Sequence, residues 1–392
     1  MNSFNRGIVN LIKSGISGDA VILPPDFDWD SAEQLGLKHQ VLTVMYYGVV
    51  NSALSLPQNT LSELENCAFQ CVAFNQRQLY EIENIYKAFD ENKIEYMPLK
   101  GLILKSIYPK PELRQMSDAD ILIKPEQYGQ IKPIMQSLGF VEADESDHEL
   151  AWNKKDRLYV ELHKRLIPSH NKDYFDYYND GWRLASRAHG SRYEMSDEDC
   201  FIFLFTHYAK HFRNGGIGIR HITDLYVFLL KKPYINKAYI ESELDKLCLK
   251  EFYDNTMKTV DVWFENALDS EITDFITEMI LTSGSYGTHD NQIVSQKIYS
   301  VSESASDTAI RSKELMSVIF PSYSTMIKKY DVLKKCPILL PVMWIVRLVN
   351  AMLFKRNVIS QETKNLKLLT ANNISDYKEA LKFVGLNTEL KE

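Results

Sequence analysis

The chain has few of the residues that mark secreted, fibrous or low-complexity proteins. Cysteine accounts for only 5 of 392 residues, an odd number without the C-x-x-C spacing of a metal or redox site. No signal peptide is recognisable after Met1, so we expect reduced thiols and a cytoplasmic protein. Glycine (16) and proline (13) are too scarce for a collagen-like or disordered chain.

An excess of positive charge is also missing. Lys and Arg together number 45 against 52 Asp and Glu, which gives a net charge of −7. We therefore expect no broad basic surface for nucleic acid, although this balance leaves room for a small basic pocket that binds phosphates. The length favours two or three packed units, and a hydrophobic content of 45% is ordinary for a globular protein.

No hydrophobic run is long enough to span a membrane. The most apolar stretch, residues 337–346, is followed closely by Arg347 and Asn350. We interpret it as a core or interface helix. Contact with an anionic membrane surface is the alternative, because the stretch is flanked by basic residues: Lys328, Lys329, Lys334, Lys335, Lys355 and Arg356.

Hydrophobic periodicity divides the chain into three parts. Residues 1–92 read as helical, with a helix over 32–50 capped by Asp30 or Ser31 and a long helix over 60–91. Residues 93–170 form the core described below. Residues 171–392 read as helical again, interrupted by a polar, Ser-rich loop with a weak helix over 284–312.

The central part alternates strand and helix patterns. Strands are predicted over 94–99, 118–123, 140–143, 149–152 and 158–163, with helices over 101–108 and 126–138. This order predicts an α/β (α+β) core with a small mixed sheet and helices packed against it. The flanking regions to both sides are mostly α-helical.

Acidic residues on two of these strands indicate a metal site. Asp118 and Asp120 alternate with apolar residues, so both project from one face of their strand. Two close carboxylates repel each other unless a cation lies between them, and Mg²⁺ (or Mn²⁺) shared with substrate phosphates meets that need. Glu161 shares a strand face with Tyr159 and His163, and it reaches the Asp pair if the two strands are adjacent.

A possible phosphate site precedes the acidic strand. Lys100-Gly101 lies where a strand passes into a helix. A glycine there lets the backbone approach an anion, and free N–H groups at the start of a helix bind phosphate oxygens.

The three motifs L-K-G, R-x-M-x-D-x-D-x-L-I and V-E-L-H together resemble the polymerase-β-like nucleotidyltransferase superfamily, and within it a bacterial family of uncharacterised nucleotidyltransferases. The resemblance extends to residues 35–49 and to a His207, Arg220, Asp224 pattern. It implies that Asp118, Asp120 and Glu161 are the catalytic and metal-binding residues. It also implies a nucleoside triphosphate site formed by Lys100, Gly101, Arg114, Ser117, His163 and Arg220. Lys100-Gly101 departs from the usual Gly-Ser or Gly-Gly of the superfamily.

Several residues have a second interpretation. Asp118 and Asp120 could lie in a surface turn, and Lys100 and Arg114 could be solvated or paired with the acidic cluster. His207 and His211 lie one helical turn apart, the spacing of a zinc pair, but no third ligand is evident, which favours a structural or substrate-facing role. Arg220 and Asp224 could form a helix-surface pair.

Three functions are compatible with these residues. The first is Mg²⁺-dependent transfer of a nucleotidyl group from a nucleoside triphosphate to a hydroxyl of a small molecule, saccharide or peptide. The second is a kinase on the same fold that transfers the γ-phosphoryl group. The third is a non-catalytic nucleotide-binding or scaffold protein.

Overall fold

The computed structural model describes residues 1–146, 148–155, 157–169, 171–285, 287–298, 306–327, 329–354 and 356–386. Over these ranges the strands are β1 (Tyr96–Pro98), β2 (Asp118–Ile123), β3 (Val141–Glu145), β4 (Glu149–Lys154), β5 (Leu158–His163), β6 (Ala185–His189) and β7 (Arg192–Met195). They form one mixed sheet in the order β3-β4-β5-β2-β1-β7-β6. The expected α/β core with a small mixed sheet is confirmed.

Helices flank the sheet in sequence and in space. Before and within the core they are α1 (Ser3–Ser17), α2 (Trp29–His39), α3 (Leu42–Ser52), α4 (Gln58–Glu91), α5 (Gly101–Ile107) and α6 (Tyr128–Ser137). After the core they are α7 (Lys172–Tyr178), α8 (Asp197–Arg213), α9 (Ile219–Lys231), α10 (Lys237–Lys246), α11 (Lys250–Phe264), α12 (Glu271–Ser283), α13 (His289–Ser295), α14 (Asp307–Ile319), α15 (Tyr323–Ile327), α16 (Val332–Lys335), α17 (Leu340–Phe354), α18 (Arg356–Leu368) and α19 (Ala371–Phe383).

The two faces of the central strands have different surroundings. On one face, the apolar residues of β2 and β5 pack in a buried core with α4 and α6. That core contains Ala119, Ile121, Val160, Ile85 and Phe89. Since side chains alternate along a strand, the acidic residues of β2 and β5 project from the opposite face. The long amphipathic helix predicted over 60–91 therefore covers the back of the site.

The helix predicted over 32–50 is instead two helices. Gln40 adopts a left-handed conformation (φ 57°), which ends α2, and its N–H bonds to carbonyls of the last turn. Asp28, not Asp30 or Ser31, caps α2, since its carboxylate accepts from the N–H of Ser31 at 3.0 Å. A break without glycine or proline leaves little trace in the hydrophobic pattern.

Strands β6 and β7 lie in a region that we predicted to be helical. They form an antiparallel hairpin whose second strand pairs in parallel with β1, with Tyr96 beside Arg192. The Glu95 carboxylate anchors the hairpin, because it accepts from Tyr193 Oη at 2.6 Å and from Arg187 at 3.1 Å. The sheet thus extends past residue 170, and the three-part domain division stays a prediction.

The apolar stretch 337–346 leads into α17, whose outer face is exposed. Val342, Ile345 and Val349 are 51%, 62% and 47% exposed. The interpretation as a core helix is therefore wrong for this face, and a role in an interface stays a prediction. None of the described helices combines the length and apolar character needed to cross a membrane. Lys328 and Lys355, and part of the Ser-rich 284–312 segment, lie outside the described residues.

Candidate active site

Strands β2 and β5 bring the predicted carboxylates together. They pair in parallel, with Asp120 beside Glu161 and Leu122 beside His163. Paired residues point to the same face of a sheet, and so do alternate residues of one strand. Asp118, Asp120, Glu161 and His163 consequently project from one face. The strands β2 and β5 are adjacent, as is required for Glu161 to reach Asp118 and Asp120.

Asp120 is the most buried of these acids, with 4% of its surface exposed. Its Oδ1 accepts two charge-assisted hydrogen bonds, from Lys100 Nζ at 2.7 Å and from His163 Nε2 at 2.7 Å. Burial alone would raise the pKa of Asp120. The Lys100 ammonium and the His163 hydrogen bond outweigh that effect, so the pKa lies well below its usual range and the carboxylate is ionised.

Asp118 has the opposite electrostatic environment. Burial raises its pKa, and the nearby negative charges of Asp120 and Glu161 raise it further. Lys100 and Arg220 offset this only in part. A cation among the three carboxylates would relieve the repulsion, which is the physical reason to expect a metal ion here.

The turn before α5 differs in detail from the expectation. Lys100 is the residue with the unusual backbone conformation (φ 43°, ψ −111°), and α5 starts at Gly101. A Cβ on Gly101 would lie 3.0 Å from Met116 Cγ and Sδ. Close packing against Met116 therefore explains the glycine. The strained backbone of Lys100 directs its ammonium to Asp120.

All nine residues predicted to form the site line one cleft, with a cavity of about 280 Å³, the lower end of the range for small-ligand pockets. They come from the turn before α5 and its first residue, the segment before β2, the strands β2 and β5, and α9. These residues are Lys100, Gly101, Arg114, Ser117, Asp118, Asp120, Glu161, His163 and Arg220.

The sequence also matches a known protein family. A sequence model of the family described as uncharacterised nucleotidyltransferase matches residues 25–265, more than half of the chain. The chain belongs to this nucleotidyltransferase family. No curated protein matches. A solved structure, the solution structure of the antibiotic-resistance factor ANT(2'')-Ia, is similar at 14% identity and a TM-score of 0.33, over 49% of this chain and 100% of that chain.

In this nucleotidyltransferase, helices α8 and α9 form the wall opposite the sheet. His207, Lys210 and His211 reach the cleft from α8, and His221 reaches it from α9. Burial, followed by the charge of Lys210, lowers the pKa of His211 to about 4, and burial lowers that of His207 well below its usual value. These imidazoles are neutral at pH 7 and can serve as hydrogen-bonding groups.

Arg114 and Asp224 form a buried pair between the two walls. Arg114 Nε donates to Asp224 Oδ1 at 2.7 Å, and Tyr108 Oη donates to the same oxygen at 2.7 Å. Arg114 is 8% and Asp224 6% exposed. The alternative of an Arg220–Asp224 pair on the helix surface is therefore wrong, because Asp224 is buried and pairs with Arg114. Arg220 instead donates to Gln40 Oε1 and to the Gln115 carbonyl, both at 3.3 Å.

Two groups of the described residues could hold a metal ion in this nucleotidyltransferase. One is Asp120, Glu161 and His163, and the other is His148, Glu149 and His163, each with ligand atoms within 4.8 Å of one another. Neither includes His207 or His211, the pair with zinc-like spacing. Asp118 lines the same cleft but is not in either group. Sequence analysis missed His148 and Glu149, although the alternating pattern of β4 placed Glu149 on a strand.

Proposed function

We propose that this protein transfers a nucleotidyl group from a nucleoside triphosphate to a hydroxyl of an acceptor, with Mg²⁺ (or Mn²⁺) at Asp118, Asp120 and Glu161. One observation carries the proposal. Three carboxylates from two adjacent parallel strands face one cleft, whose remaining lining includes Lys100, Arg114 and Arg220.

The donor atoms fit a hard divalent cation. Carboxylate oxygens are the ligands that Mg²⁺ prefers, and it keeps other positions for water and substrate phosphates. Among the described residues, Lys100 and His163 both donate their hydrogen bonds to Asp120 Oδ1. The other carboxylate oxygen, Oδ2, is then available to bind a cation. When bound, the ion would neutralise charge on the phosphate oxygens.

The protein's own groups supply positioning and proton transfer. The acceptor oxygen attacks the α-phosphorus, and the bond to the pyrophosphate leaving group breaks. In this proposal Glu161, with 21% of its side chain exposed, takes the proton of the attacking hydroxyl. His163 holds Asp120 in place through their hydrogen bond.

The cationic side chains of the cleft face the phosphates. Lys100 and Arg220 are only partly buried, and they offer charge to the triphosphate and to the departing pyrophosphate. Gly101 and Ser117, which also line the cleft, complete the proposed nucleotide site. The free cysteines agree with the cytoplasmic location that we also propose.

Labelled nucleotide tests the reaction. Purified protein is incubated with Mg²⁺, a protein-free small-molecule extract, and ATP, GTP, CTP or UTP carrying label at either the α- or the γ-phosphorus. The proposal predicts α-label on a new product and γ-label in pyrophosphate, with neither formed by Asp120→Asn. Transfer of γ-label to the product would show a kinase instead. Label that stays in the nucleotide would contradict both reactions.

A further inference from the structure

A second cluster of metal-ligating atoms lies beside the three carboxylates. It consists of His148, Glu149 and His163, each of which has one ligand atom within 4.8 Å of those of the other two. Glu149 Oε2 lies 2.9 Å from His148 Nε2 and 3.9 Å from His163 Nδ1. Ligands of a tetrahedral ion with bonds of about 2.0–2.1 Å are about 3.3 Å apart, a value between these two separations.

The strand register places these residues on the side of the cleft. Glu149 lies directly opposite His163 in the antiparallel pair β4–β5, so both side chains point to the same face. His148 precedes β4, and its carbonyl accepts from the Lys164 N–H at 2.7 Å. Ser146 Oγ lies 3.1 Å from His148 Nδ1, which orients the ring so that Nε2 faces Glu149.

His163 has the orientation of a metal-binding histidine. Its Nε2 lies 2.7 Å from Asp120 Oδ1, and an ionised carboxylate can only accept, so Nε2 carries the proton. Whenever the ring is neutral, its lone pair is therefore on Nδ1. His163 is 4% exposed, and Nδ1 has no hydrogen-bond partner among the residues that the structure describes. Histidines that bind metals commonly donate their other N–H to a carboxylate in this way.

From these contacts we propose that His148, Glu149 and His163 bind a transition-metal ion of the Zn²⁺ class. Two imidazoles and one carboxylate suit such an ion, whereas Mg²⁺ prefers an all-oxygen site. Three protein ligands leave a coordination position for water or a substrate oxygen on the side of the cleft. The site shares no ligand with the proposed Mg²⁺ site, which it contacts through the hydrogen bond between His163 and Asp120, and its occupancy can be measured without any nucleotide.

Cobalt binding tests the site directly. Metal-free full-length protein is titrated with Co²⁺ in excess Mg²⁺, and the visible absorption of protein-bound Co²⁺ is recorded, followed by displacement with Zn²⁺. We expect one equivalent to bind, without the thiolate-to-cobalt band that Cys67 and Cys71 would produce. His148→Ala and Glu149→Gln should each weaken Co²⁺ binding about tenfold or more. Glu149→Gln keeps the size of the side chain and decides the matter if His148→Ala does not fold.

His211→Ala is the matched control, because His211 is another half-buried histidine of the same cleft that lies outside the cluster. It should bind Co²⁺ as the wild type does. Absence of a Co²⁺ spectrum in the wild type, unchanged affinity in both cluster variants, or an equal loss in His211→Ala would overturn the proposal. These outcomes leave the nucleotidyl-transfer assay unaffected, so the two proposals fail separately.

Discussion

Replacing Asp224 with alanine tests the buried connection between the sheet and the helical wall. The substitution removes the acceptor of both Arg114 Nε and Tyr108 Oη, each at 2.7 Å. Arg114 is only 8% exposed, so its guanidinium would stay buried without its counter-charge. Breaking a buried pair by removing one partner costs about 3–5 kcal/mol. That is a large share of a typical unfolding free energy of about 5–15 kcal/mol.

Urea unfolding followed by circular dichroism gives the free energy of unfolding for Asp224→Ala. A double variant, Arg114→Met with Asp224→Leu, should recover most of the loss, because an apolar pair of similar volume has no charge to desolvate. Lys87→Ala is the control, since Lys87 and Glu91 form an exposed pair, 74% and 63% exposed, and its loss should have no measurable effect. A loss below about 1 kcal/mol for Asp224→Ala would refute the reasoning.

Three further predictions concern other parts of the molecule. Hydrogen bonds from Lys124 and Tyr193 lower the pKa of Glu95 to about 2, so its stabilising effect is complete above pH 4.5 and is lost as the pH falls towards 2. In Glu95→Gln the free energy of unfolding should therefore fall less steeply as the pH is lowered from 5 to 2, which urea unfolding midpoints measure. An equally steep fall in the wild type and the variant would contradict this. The hydrogen bond from Cys67 lowers the pKa of Cys71 to about 6, so Cys71 should react in a fast phase with a disulfide reagent at pH 7. This phase should vanish in Cys71→Ser, and its persistence would show that another thiol is responsible. Gly181 has φ 88°, and a Cβ there would lie 2.4 Å from Leu166 Cγ. Gly181→Ala should therefore lower the free energy of unfolding by about 2–4 kcal/mol, measured by thermal unfolding. An unchanged melting temperature would argue against this packing.

Local patterns were sufficient to predict which acidic side chains of the sheet lie together in the candidate site. The alternation around Asp118 and Asp120 and around Glu161 predicted which side chains share a face, and the parallel β2–β5 pair places them together. The bounds of α4 were predicted to within two residues at its start, because long amphipathic helices have a strong periodic signal.

Contacts between distant segments could not be predicted in the same way. Asp224 lies four residues after Arg220, so a surface pair was the local expectation, but the tertiary fold brings Arg114 to it instead. Glu149 faces His163 only through the β4–β5 register, which no short pattern encodes. The β6–β7 hairpin has short strands, with mostly exposed residues in β6 and mostly half-buried residues in β7, and such strands lack a clear alternating pattern.

Binding of a metal–nucleotide complex is the most direct test of the central claim, that Asp118, Asp120 and Glu161 together hold a cation shared with a triphosphate. Isothermal titration calorimetry measures the affinity of the Mg²⁺ complex of a non-hydrolysable analogue of ATP, GTP, CTP and UTP in turn. The account predicts that the wild type binds at least one of these analogues and that EDTA abolishes the binding. Asp118→Asn, Asp120→Asn and Glu161→Gln should each weaken the affinity for the analogue about tenfold or more. Glu91→Gln, the same loss of charge at an exposed position of α4, should bind normally. Equal affinity in all these proteins, or binding that EDTA does not change, would contradict the account.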